Sequence, residues 1–287
     1  MKVLVTGATG TVGSEVVKQL SAAGITVRAA VHSPEKRERI KGKGVETVRF
    51  DYENPQSIRE ALKGIEKLFL LTPVAANMVE QVKSVTNEAK SAGIRHIVRQ
   101  SAFGSQLEET LLQRWHFAAE EAIGASGIPY TILRPNFFMQ NYLTYPAVDG
   151  AYYLPLGTAR VSIVDVRDIA AVAVKALHEK GHEGRIYPIT GPEAITAAEA
   201  VALIAKASGG HFRYVDTPPE EARKAMLAGG MPEWLTDALL ELYAWARGGK
   251  MAEVRNTVEQ VTGRKPHSFA RFSRDYVRRF KGAARAA

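Results

Sequence analysis

The chain of 287 residues has no cysteine, which excludes disulfides, thiolate metal ligands and a cysteine nucleophile and suits a reducing compartment. With seven histidines and no thiols, no metal site is expected. No stretch approaches the roughly 20 apolar residues of a membrane-spanning helix. The opening apolar run is broken by Thr6 and Gly7, unlike the longer h-region of a secretory leader. A cytoplasmic location is the expectation these absences leave. The formal charge of +8 is spread along the chain apart from KRERIKGK (36–43) and RDYVRRFKGAAR (274–285). Both runs read as solvated basic faces without the aromatic ladder of a strand-stacking surface, so neither nucleic acid nor a membrane is an expected partner.

What is present is alternation. KVLVT is a β-rich run, TVGSEVVKQLSAAG has helical apolar spacing up to Gly24, and TVRAAV is a second strand. A helix near 34–41, VETVRF, a helix after Pro55, KLFLLT, a helix across 76–92, HIVRQS, a helix across 107–126 and YTILRP follow. Six strands separated by helices predict an α/β fold with a doubly wound parallel sheet. After Pro135 the texture changes to NFFMQNYLTYPAVDGAYYLPLG, aromatic and rich in turn residues. ARVSIV is a strand candidate, DVRDIAAVAVKALHE an alanine-rich helix, RIYPIT and FRYVDT further short strands, and 218–280 is mostly helical. The expected division is a dinucleotide-binding domain over 1–150 and a smaller, mostly helical lobe over 151–287, part of which returns to the main sheet.

VTGATGTVG (5–13) spaces Gly7, Gly10 and Gly13 three apart between the first strand and the first helix. At such a junction the first glycine permits a tight turn, the second a close approach to a pyrophosphate, and the third close packing of helix on strand. The amides at the helix N-terminus then face the phosphates, where the helix dipole favours negative charge. Thr9, Thr11 and Val12 complete the expected phosphate loop.

The pattern TGxxGxxG resembles the short-chain dehydrogenase superfamily. The stretches HxxxE (116–120), SGIPYTILRPNFFMQN (126–141) and YPITGPEAITAAEA (187–200) narrow the resemblance to its NmrA-like, atypical branch, which is similar here to bacterial NAD(P)H:quinone oxidoreductases and triphenylmethane reductases. The resemblance implies a Rossmann domain, a small C-terminal lobe and a substrate cleft between them.

An NAD-specific Rossmann domain carries an acid at the end of its second strand, which accepts from the ribose 2′-hydroxyl. Here the stretch is VHSPEKRER, with His32 and Ser33 at that place and Lys36 and Arg37 after them. Donors and cations suit a 2′-phosphate, so NADP(H) is preferred and NAD(H) remains possible. The resembled family often has arginine at position 32. Asp51 and Tyr52 resemble the family's adenine-contacting pair; Asp51 alternatively caps a turn. Thr72 and Pro73 end the fourth strand and Ser101 the fifth, where ligands sit in open parallel sheets.

None of the ten tyrosines has a lysine four residues later, so the Tyr-x-x-x-Lys proton relay of ordinary short-chain dehydrogenases is missing. The resemblance places Leu112 at the tyrosine position and His116 at the lysine position. The expected chemistry is hydride transfer to a quinone or another small conjugated acceptor that needs little acid help. His116 is the catalytic candidate, as a contact to the nicotinamide ribose or as a proton donor; a structural histidine is the alternative. Phe103, Phe137, Phe138, Asn141 and Tyr142 are the candidate substrate wall, with Tyr152 and Tyr153 nearby, and core packing is the alternative for each. The rival function is a non-enzymatic NADP(H)-binding redox sensor that regulates a partner protein. Monomer and homodimer stay equally open.

Overall fold

The computed structural model describes residues 1–33, 35, 40, 42–145 and 149–286, and side chains as far as Lys281. β1 (Lys2–Val5) leads through the glycine loop into α1 (Thr11–Ala22), followed by β2 (Thr26–Val31) and β3 (Val45–Arg49). The helix expected near 34–41 falls largely outside the described residues, as do Lys36 and Arg37. Then come α2 (Pro55–Leu62), β4 (Lys67–Leu70), α3 (Met78–Ser91), β5 (His96–Gln100), α4 (Leu111–Gly124) and β6 (Tyr130–Pro135). Asn54 caps α2 on the Ser57 amide with Pro55 in the first turn, and Thr110 and Gln113 form a reciprocal capping box on α4.

The second half runs β7 (Ala151–Leu154), α5 (Val166–His178), β8 (Arg185–Ile189), α6 (Ala197–Ser208), β9 (Arg213–Asp216), α7 (Pro219–Ala228) and α8 (Glu233–Arg247). Three further helices close the chain: α9 (Thr257–Thr262), α10 (Phe269–Asp275) and α11 (Val277–Ala286).

Seven strands form one parallel sheet in the order β3-β2-β1-β4-β5-β6-β8. This is the doubly wound Rossmann order, and its direction reverses between β1 and β4, which opens a crevice at their carboxyl ends. Both faces of the central strands are covered, so β1, β2, β4 and β6 are mostly apolar on both sides. Val3, Val5, Val27, Ala29, Phe69 and Val98 pack toward α1 and α5, while Leu4, Ala30, Leu68, Leu70 and Ile97 pack toward α2, α3 and α4. α5 and β8 come from the second half of the chain yet complete the sheet domain. The Gln19 amide donates to the Arg167 carbonyl at 3.0 Å between α1 and α5.

The rest of the second half surrounds its own aromatic core, built on Tyr142, Tyr152, Phe269, Phe272 and Phe280. AYYL, set among turn residues, is a strand: β7 pairs in parallel with β9. ARVSIV, expected as a strand, forms only isolated bridges, Val161 with Ile195 and Val164 with Phe138. Its backbone bonds are divided among several neighbours. The amides of Val161, Ser162 and Val164 donate to the carbonyls of Ile195, Met251 and Phe137 in turn, so no single ladder forms.

Candidate active site

β1 is followed by Thr6, whose hydroxyl donates to the Leu71 carbonyl at 3.0 Å and accepts from the Leu71 amide at 2.8 Å. This clamps the ends of β1 and β4 together at the switch point. Beyond it the chain turns at Gly7, whose φ of +60° suits glycine, and the Gly10 amide donates to the Gly7 carbonyl at 2.9 Å. A Cβ on Gly13 would lie 2.7 Å from the Gly7 carbonyl carbon, so α1 sits directly against the loop. Gly10 begins α1 with no side-chain cap, and the first turn carries no acid. The amides there point outward and the dipole favours an anion.

Past β2, His32 is exposed and Ser33 half-buried. Past β3, the Asp51 carboxylate accepts from the Glu53 amide at 3.0 Å, which is the turn-capping arrangement. The Tyr52 hydroxyl donates to the Leu71 carbonyl at 2.6 Å, and its ring meets Phe50 edge-on at 4.9 Å. Burial pushes this phenol up to about 12. Tyr52 therefore ties β3 to the end of β4. Pro73 is exposed, whereas the Thr72 hydroxyl is buried without a hydrogen-bond partner.

From the ends of β4, β5 and β6 a cleft of about 870 Å³ extends under the C-terminal lobe. Thr72, Gln100, Ser101, Phe103, Leu112 and His116 line its sheet side; Phe137, Phe138, Asn141 and Tyr145 line it from the segment after β6. Tyr153, Met226, Leu239, Leu242 and Tyr243 close it from the lobe. Among the described lining residues there is no aspartate, glutamate, lysine or arginine. The Gln100 side-chain oxygen, like the Thr72 hydroxyl, is buried there without a partner.

The aromatic segment is thus split. Tyr142 does not line this cleft: its ring packs at 5.1 Å from Phe269 and 5.9 Å from Tyr152 in the lobe core. Tyr152 and Met139 are core as well. The 3-10 turn at Met139–Leu143 sends adjacent side chains in different directions, so Asn141 reaches the cleft and Tyr142 turns away from it.

His116 and Glu120 lie one helical turn apart on α4. The buried Glu120 carboxylate accepts from the hydroxyls of Ser101 and Ser105 and from the Arg134 guanidinium. It thereby joins the end of β5, the following loop and β6. Behind His116 lies Arg99, fully buried, with its Nη2 3.4 Å from His116 Nδ1. Arg99 also donates to the Gln100 carbonyl at 2.7 Å, while its Nε has no partner. Burial lowers this guanidinium to about 10, so it remains a cation at neutral pH. The imidazole is pushed down to about 3, by burial first and then by the Arg99 charge. His116 is therefore neutral, with Nδ1 accepting and the proton assigned to Nε2.

Glu120, Tyr145 and Tyr243 carry no role from sequence reasoning. Glu120 had a local signal in HxxxE; Tyr243 arrives from a distant helix with none. The stretch HEKGH (178–182) has the letters of a zinc-protease motif, which needs both histidines on one helix face. α5 ends at His178, and His182 Nδ1 lies 2.8 Å from the Tyr187 hydroxyl. No group of three metal-ligating side chains occurs among the described residues. Nor is any helix among them long and apolar enough to cross a membrane.

The sequence pattern of the NmrA-like family matches residues 1–276. An NAD(P)H azoreductase of Xenophilus azovorans is 40% identical over 286 residues, covering 98% of this chain and 100% of that protein. Among solved structures, the NADPH-dependent quinone oxidoreductase of Escherichia coli complexed with NADPH superposes with a TM-score of 0.84 at 27% identity, covering 95% and 98% of the two chains. The Citrobacter triphenylmethane reductase gives a TM-score of 0.84 at 25% identity, covering 97% and 100%.

Proposed function

The chain belongs to the NmrA-like family, and from that premise we propose an NAD(P)H-dependent oxidoreductase that passes hydride to a small conjugated acceptor, such as a quinone, without a Tyr-Lys proton relay. The observation that carries this reading is the large cleft, without a charged side chain among its described lining residues, which runs from the carboxyl ends of β4 and β5 to an aromatic wall.

The residues fit a dinucleotide. The uncapped first turn of α1 and the Gly7–Gly13 loop suit the pyrophosphate. The unpartnered Thr72 hydroxyl and Gln100 side-chain oxygen suit the ribose and nicotinamide side. His32 and Ser33 stand at the 2′-position and favour NADP(H), whereas Asp51 and Tyr52 border the adenine side. When bound, the cofactor supplies hydride. The protein's own work is to orient the acceptor, to keep water out and to hold polar contacts at its edge.

His116 serves here as a neutral ribose contact through Nε2–H, since an imidazolium at this position is disfavoured. Phe103, Phe137, Phe138 and Asn141 wall a flat acceptor. Leu112, at the relay tyrosine's place, offers no proton, so protonation of the reduced product falls to solvent.

The test follows NADPH absorbance against quinones, azo dyes, triphenylmethane dyes and enones. Turnover of at least one conjugated acceptor is expected. Tight NADPH binding with no turnover of any would replace the enzyme by a redox sensor.

A further inference from the structure

Tyr145 follows the turn Met139–Leu143, and Tyr243 lies on α8, 98 residues later. Both line the cleft, and their hydroxyl oxygens stand 3.5 Å apart. An O–H···O bond is ordinarily about 2.7 Å long, so at this separation each hydroxyl leaves the other poorly satisfied. Asn141 is the one further side chain among the described residues placed to hydrogen-bond there, at the Tyr145 hydroxyl, and the surrounding wall is otherwise apolar.

Both rings are held in place. Tyr243 packs on Phe137 with ring centres 5.9 Å apart, and Tyr145 meets Tyr142 at 6.0 Å. α8 itself is fixed to the start of α4: the Leu111 amide donates to the Glu241 carboxylate at 2.6 Å, and Trp115 packs on Trp234 at 5.4 Å. Two O–H groups thus lie side by side on the wall of a largely apolar cleft, and fixed donors of this kind act most strongly on charge that develops during reaction.

We propose that Tyr145 and Tyr243 are the donor pair that receives the acceptor's oxygen as hydride arrives. The inference rests on the oxidoreductase reading above and assigns the acceptor class more narrowly, to molecules that become oxyanions on reduction. A quinone takes two electrons and one proton as hydride from NADPH and becomes the hydroquinone monoanion, leaving NADP⁺. Solvent then supplies the second proton. The tyrosines donate hydrogen bonds to that oxyanion and keep their own protons, consistent with the upward push that burial gives both phenols.

Tyr145→Phe, Tyr243→Phe and the double variant test this with menadione and with malachite green. The dye takes hydride on its central carbon and becomes neutral without forming an oxyanion. In the double variant, kcat with menadione should fall by about 100-fold, the order of one or two oxyanion donors. KM should change little, while the NADPH dissociation constant and the melting temperature stay near parental. Turnover of the dye should persist. Unchanged menadione kcat, or an equal loss with both acceptors, would overturn the pair's role. If the parent reduces menadione only, the menadione result decides alone. A parent that reduces no acceptor overturns the oxidoreductase reading and the pair's role with it.

Discussion

Nη2 of the buried Arg99 guanidinium lies 3.4 Å from Nδ1 of His116, placing a permanent cation behind an imidazole at the cleft wall. Burial first, and then this charge, keep His116 neutral, and the guanidinium fixes the tautomer that presents Nε2–H. A neutral ring contributes one hydrogen bond, of about 1 kcal/mol net. His116→Ala should therefore lower kcat/KM by roughly fivefold, with no ionisation of this group visible in the rate profile between pH 5.5 and 8. A loss above roughly 100-fold, with an acidic limb near pH 6.5, would identify a general acid instead.

The same burial makes the fold acid-sensitive. His116 is pushed down to about 3, and His96 to about 4 by burial and by Lys67. An unfolded histidine titrates near 6.5. Between those values the unfolded chain binds more protons than the folded one, so stability rises with pH. The contribution is fully present above about pH 6.5 and is lost as pH falls toward 4 for His96 and toward 3 for His116. At pH 5 the loss is about 2 kcal/mol per histidine. Urea midpoints at pH 7.5 and pH 5 should show this drop, and His116→Gln should shrink it. An identical drop in the variant would assign the acid sensitivity to other groups.

Two loop glycines should fail in different ways. Gly13 has backbone neighbours where a Cβ would go, at 2.7 Å and 3.0 Å, so Gly13→Ala must displace the loop. That variant should lose both NADPH affinity and stability, the latter by about 1–3 kcal/mol. Gly10 is exposed and has a negative φ, with only the Gly7 carbonyl oxygen near, at 3.3 Å. Gly10→Val should melt close to the parent while NADPH binding falls steeply. Calorimetry and thermal melts separate the cases; unchanged affinity in Gly10→Val would make the loop merely structural.

The alternating fold was legible because strands covered on both faces are mostly apolar, and α2 and α4 between them carry side-chain caps. β7 was not, since AYYL sits among turn residues and gains its partner only from β9. ARVSIV misled for the opposite reason: it is apolar and β-branched, but its bonds go to several neighbours. Within the site, the glycine loop and HxxxE are local motifs and could be found. Which of Asn141, Tyr142 and Tyr145 faces the cleft depends on a single 3-10 turn, and Tyr243 meets Tyr145 only through tertiary packing. No periodicity carries either fact.

Cofactor choice turns on the end of β2. His32 is exposed there with Ser33 beside it, and neither position sets a carboxylate to repel a 2′-phosphate or to accept from a free 2′-hydroxyl. NADPH should bind the parent more tightly than NADH. His32→Asp supplies the missing acceptor and a repelling charge together, and the exposed position lets the fold absorb the change. The ratio of the two dissociation constants should invert, with NADPH weakened by at least about tenfold, since charge-assisted bonds to a phosphate are worth about 1.5–3 kcal/mol each. Isothermal titration of both cofactors at neutral pH measures the ratio directly. Tighter NADH binding by the parent would remove His32 and Ser33 from the cofactor site, because a residue that meets the 2′-position must register the phosphate.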